Sequence, residues 1–150
     1  MKKVSIVLAL ALVLVSGLAL VGCKNGTTDD SLNGTWTSTD GSGDQLILDN
    51  GKFTLKMDGT EQIKGTYKAS ATNITFTVTD INFVGEFANF IPGVTGWKSK
   101  NQLITFMTEV GAGEDDMAEL LAVFEPQTIS YTLNGDTLVI EELWGTFTRS

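Results

Sequence analysis

The stretch Lys52-Phe53-Thr54-Leu55-Lys56-Met57 alternates polar and apolar residues without a break. Successive side chains of a strand point to opposite faces, so Phe53, Leu55 and Met57 share one face and Lys52, Thr54 and Lys56 the other. The period recurs along the chain. Ile63, Tyr67 and Ala69 oppose Gln62, Lys64, Thr66 and Lys68; Ile74, Phe76 and Val78 oppose Thr75, Thr77 and Thr79. Further on, Ile129, Tyr131 and Leu133 oppose Thr128, Ser130 and Thr132. Strands with one wet face and one dry face belong to antiparallel sheet, because parallel sheets are covered on both sides.

The turn chemistry agrees. Asn50-Gly51, Asp58-Gly59 and Asn134-Gly135 are pairs that tolerate the positive φ of tight hairpins. They join strands predicted at 44–49 and 52–57, at 52–57 and 62–69, and at 128–133 and 136–142; Thr72-Asn73 turns the next hairpin. Consecutive hairpins make a meander, and a meander with one dry face must close on itself or pack against something else. The expected fold is therefore all-β: an antiparallel up-and-down meander closing into a barrel of eight to ten strands.

Residues 80–126 break the rhythm and read as an insertion of loop, strand and helix. Within them Gln102-Leu-Ile-Thr-Phe-Met-Thr-Glu-Val110 is expected to form a strand. Residues 114–124 are expected to form one short helix. Glu114, Asp115 and Asp116 suit a helix start, where the dipole favours negative charge. Met117, Leu120, Leu121 and Phe124 then give an apolar stripe, and Pro126 ends it. Residues 84–99 are aromatic but aperiodic, which suggests a lid over one end of the barrel.

The amino terminus has a different character. Lys2 and Lys3 precede an apolar run from Val4 to Val21 that only Ser5, Ser16 and Gly17 interrupt. A run of ~18 apolar residues could span a bilayer. The flanking lysines and the closing Leu20-Val21-Gly22-Cys23 favour a secretory signal instead. That closing tetrapeptide resembles the lipobox of bacterial lipoproteins. The resemblance implies that residues 1–22 are removed and that the Cys23 sulfur carries a diacylglycerol, with the new amino terminus acylated as well. Each buried methylene contributes ~0.8 kcal/mol, and stable attachment needs more than one chain. Lys24 stands where an Asp would imply inner-membrane retention, so the outer membrane or cell surface is the expected location. Residues 23–33 then form a lipidated tether and 34–150 the domain, with Leu32 plugging the base of the fold.

Composition excludes several functions. The formal net charge is −8, and loss of Lys2 and Lys3 makes it more negative. That balance opposes nucleic acid as a partner and broad contact with anionic head groups. The chain has no histidine, so Ser-His-Asp and Cys-His catalysis are excluded and the commonest metal ligand is missing. Glu141 and Glu142 are neighbours on a strand and face opposite sides. Glu114, Asp115 and Asp116 lack the spaced oxygens of a calcium loop and read as a solvated helix start. No enzyme, cofactor or metal site is expected.

Gly-Thr-aromatic occurs three times, at Gly34-Thr35-Trp36, Gly65-Thr66-Tyr67 and Gly145-Thr146-Phe147. The uneven spacing is no solenoid period; it reads as one local solution reused, a glycine for a bend or close approach and an aromatic for the interior. The first copy, with the strands after it, resembles the lipocalin or calycin group. There Gly-x-Trp opens the first strand of an up-and-down barrel, and a basic residue of the last strand packs over the Trp. The resemblance assigns those structural roles to Trp36 and Arg149.

Two functions remain open. In the first, Phe53, Leu55, Tyr67, Phe76, Tyr131 and Phe147 line a barrel that holds a small apolar ligand, with Phe87, Phe90, Ile91 and Trp97 at its mouth. In the second, these bulky side chains fill the barrel, and the aromatic segment is an exposed patch for a protein partner. An internal void of ~300 Å³ or more separates the two.

Overall fold

The computed structural model describes residues 30–140 and 145–150. Residues 1–22, expected to be a signal peptide, and Cys23 lie outside the described residues, as do Glu141 and Glu142. The strands are β1 (Gly34–Ser38), β2 (Gln45–Asp49), β3 (Lys52–Met57), β4 (Thr60–Ala69), β5 (Asn73–Phe83), β6 (Gly96–Ser99), β7 (Gln127–Asn134), β8 (Thr137–Ile140) and β9 (Gly145–Arg149). Every ladder is antiparallel. Eight strands close into a barrel in the order β1-β2-β3-β4-β5-β7-β8-β9, and β6 lies outside it on the far half of β5.

The hairpins follow the predicted turns. Asn50 and Gly51 both take positive φ in a two-residue loop between Asp49 and Lys52, and Asp58 and Gly59 do the same between Met57 and Thr60. The third turn is displaced by one residue. Asn134 pairs with Thr137, so Gly135 and Asp136 form the loop and Gly135 supplies the positive φ.

β5 builds both parts of the molecule. Its first half, Asn73–Phe76, pairs with β7 inside the barrel; its second half, Asp80–Phe83, runs past the rim and pairs with β6. A 3₁₀ turn at Gly85–Asn89, helix α1 (Lys100–Glu109) and helix α2 (Glu114–Ala122) complete a cap on that end. The cap has its own core of Ile81, Phe83, Val94, Leu103, Val123 and Phe124, distinct from the barrel core. Val78 and Phe87 pack against both and form the seam.

The strand expected at 102–110 is a helix. Ser99 and Gln102 make a reciprocal capping box, which satisfies two backbone donors that a helix start otherwise leaves open. Leu103 and Met107 are buried one turn apart, with Phe106 on the same side. The β-branched character of Ile104, Thr105 and Thr108 loses to this face; both threonine hydroxyls bond back to carbonyls four residues earlier. The insertion thus has two helices rather than one. Among the described residues, no helix is long and apolar enough to cross a membrane.

The described fold begins at residue 30. Asp30–Leu32 form a 3₁₀ turn with Leu32 fully buried, so residues 30–33 belong to the fold rather than to a free linker.

Candidate functional site

The two ends of the barrel differ. At the closed end Trp36 is fully buried, and its indole N–H donates to the Leu32 carbonyl at 2.8 Å. Trp36 and Arg149 are direct partners across the β1–β9 ladder that closes the ring. The Arg149 guanidinium lies 4.4 Å from the Trp36 ring centroid. Its two terminal nitrogens donate to the Asn33 and Ser31 carbonyls at 2.8 and 2.7 Å. Arg149 Nε approaches Asp136 Oδ1 to 3.3 Å, close enough for ionic attraction but misaligned for a hydrogen bond. Asn33 ties in β4 and the β2–β3 turn: its side-chain oxygen accepts from the Tyr67 hydroxyl and the Asn50 N–H, each at 3.0 Å.

The repeated Gly-Thr-aromatic motif resolves into three cases. Trp36, Tyr67 and Phe147 all enter the core. The glycines serve different ends. Gly34 has φ +147°, and a Cβ there would sit 3.2 Å from an Arg149 nitrogen. Gly65 follows a bulge in the β4–β5 ladder, and its Cβ would meet the Thr77 carbonyl oxygen at 2.1 Å. Gly145 starts β9 at positive φ in open space.

At the other end the interior is not filled. A cavity of about 230 Å³ lies between the barrel wall and the cap. Phe53, Leu55, Met57, Ile63, Phe76, Val78, Ile129 and Phe147 form its barrel side; Phe87 and Val123 come from the cap. Ser38, Asp40, Asp44 and Gln127 are its polar residues. Phe53 and Phe76 meet edge to face with centroids 5.0 Å apart, an arrangement the ring quadrupoles favour.

Of the interior residues predicted from sequence, Phe53, Leu55, Phe76 and Phe147 line this cavity. Tyr67 and Tyr131 do not. The Tyr67 hydroxyl is held by Asn33, and the Tyr131 hydroxyl donates to the Ser70 carbonyl at 2.8 Å. Both phenols therefore brace the closed end. Of the predicted mouth residues, only Phe87 reaches the cavity. Phe90 packs edge to face on Phe87, and Ile91 joins the cap core. Trp97 sits on β6 under the Lys64 ammonium, which is 4.3 Å from its ring. All four are half-buried, so they do not form the exposed aromatic patch of the second reading. Val110 is the exposed large apolar side chain among the described residues.

Sequence reasoning passed over Met57, Ile63, Val78 and Ile129, although the period of two put each on the dry face. It had no signal for Val123, Asp40 or Asp44, which reach the cavity through tertiary packing and the 39–44 loop. Among the described residues, no three His, Cys, Asp or Glu side chains gather as a cation site. The Asp40 carboxyl is held below the usual carboxylate range, first by the Ser42 hydroxyl, then by the Ser42 N–H and the Ser38 hydroxyl. Compared with protein-family models, curated proteins and solved structures, the chain has no match.

Proposed function

We propose that this chain is a lipid-anchored protein of the bacterial envelope whose barrel takes up a small apolar ligand at its capped end. The apolar cavity of about 230 Å³ carries the reading. Eight-stranded barrels have room for either a filling of side chains or one small ligand, and here the two share the interior. The volume falls below the ~300 Å³ at which sites for drug-sized molecules begin, so the ligand is a compact one. The Gly34-Thr35-Trp36 motif, Arg149 and the closed barrel together support a likeness to lipocalins. The Leu20-Val21-Gly22-Cys23 ending supports the anchor.

The same small volume is the one observation that favours a filled, non-enzymatic interaction protein. Uptake of the neutral apolar dye N-phenyl-1-naphthylamine decides between them. The wild-type protein is expected to bind the dye, and Val78→Phe, which fills the cavity from its wall, to abolish binding. No uptake, with Val78→Phe making no difference, rejects the ligand reading. For the anchor, protein recovered from membranes should begin at an acylated Cys23 by intact mass, and Cys23→Ser should release it to the soluble fraction. An intact Met1 with an unmodified sulfur overturns that part.

A further inference from the structure

The cavity has a polar side, and its charge has one sign. Asp40 and Asp44 line it, and no lysine or arginine among the described residues does. Lys52 and Lys56 alternate with the inward Phe53, Leu55 and Met57 of β3, so they point away from the interior. Neither aspartate makes an ion pair within 4 Å among the described residues. Asp40 Oδ1 accepts from the Ser42 N–H at 2.8 Å and Asp44 Oδ1 from the Asp58 N–H at 3.3 Å. These bonds fix the carboxylates in place without cancelling their charge. Phe53, Phe76, Phe87 and Phe147 also line the cavity.

We propose that the ligand is an amphipathic amine, its short apolar body among the phenylalanines and its cationic head against Asp40 and Asp44. The inference rests on the ligand reading above and narrows it. A carboxylate head would meet two like charges with no cation to offset them, whereas an ammonium meets two unpaired anions. The net charge of −8 raises the local concentration of cations around the whole molecule. A fatty acid is therefore the wrong class of ligand for this mouth.

The test displaces N-phenyl-1-naphthylamine from the purified full-length protein with n-octylamine, n-octanol and n-octanoate, which share one apolar body. At neutral pH and low salt, octylamine should displace the dye at about tenfold lower concentration than octanoate, with octanol between them. The gap should shrink at about 1 M salt, where exposed charges are screened. Asp40→Asn with Asp44→Asn keeps the acceptor oxygens for Ser42 and Asp58. It should bring amine and carboxylate to parity and leave octanol unchanged, which also shows that the fold survives. Octanoate competing as well as octylamine, or a gap that persists in the double variant, overturns the amine and leaves the apolar cavity standing. Failure of the dye itself to bind removes both.

Discussion

The end of the barrel around Trp36 and the end beneath the cap use the same strands to opposite effect. At the first, Leu32, Trp36, Leu48 and Ile74 are buried to within about a hundredth of their surface, and Trp36, Tyr67, Tyr131 and the terminal nitrogens of Arg149 each donate to another segment. At the second, inward side chains of the same alternating pattern leave a cavity. The difference lies in what the connections bring. The closed end receives tight turns and the 3₁₀ turn that Arg149 clamps. The capped end receives a long insertion with a core of its own, which covers the barrel without filling it.

The sharpest way to break this contrast is to remove one aromatic side chain from each end. Trp36→Ala deletes a fully buried indole and strips the Arg149 guanidinium of its aromatic partner. A loss of about 3–5 kcal/mol is expected, read as a lower urea midpoint at unchanged slope. Phe87→Ala removes a half-buried ring at the seam and should cost about 1 kcal/mol. Equal losses would mean that the two ends are equally packed.

A finer comparison uses one strand. Ile74 and Val78 lie on the inward face of β5, four residues apart; Ile74 is fully buried and Val78 faces the cavity. Ile74→Phe should cost about 1–3 kcal/mol, because a close-packed interior has no space for the added carbons. Val78→Phe should stay within about 1 kcal/mol of wild type, since its ring enters existing space. If Val78→Phe unfolds the protein as readily as Ile74→Phe, the capped end is as full as the closed one.

The same contrast explains what could be read from sequence. The barrel was legible because its determinants are local: a period of two, and Asn-Gly and Asp-Gly turns. The cap was legible only in part. Its α2 announces itself through an acidic first turn and an apolar stripe. In α1 the β-branched Ile104, Thr105 and Thr108 obscured a valid helix signal, the Ser99–Gln102 capping box followed by Leu103, Phe106 and Met107. The cavity was half legible for a related reason. Alternation identifies which side chains face inward, but it cannot say which of them meet across the barrel and which are held apart. Tyr67 and Tyr131 have the right parity, yet hydrogen bonds to Asn33 and Ser70 draw both away from the mouth.

The smallest expected effect concerns the mouth alone. Asp40 is fully exposed, and its carboxyl lies below its ordinary value of 3.8 because Ser42 and Ser38 donate to the ionised form. A group whose folded value is depressed adds stability above its unfolded value and loses it as pH falls through the folded one. Asp40→Asn should therefore lie slightly below wild type in urea midpoint near neutrality and converge with it below about pH 4, where the wild type loses this contribution and the variant has none to lose. Exposure keeps that difference small, since water competes for the same carboxylate. Acid titration of both proteins by circular dichroism checks the point. A large difference at neutral pH would mean that the 39–44 loop holds the barrel together as Arg149 does at the other end, and the division of labour between the two ends would fail.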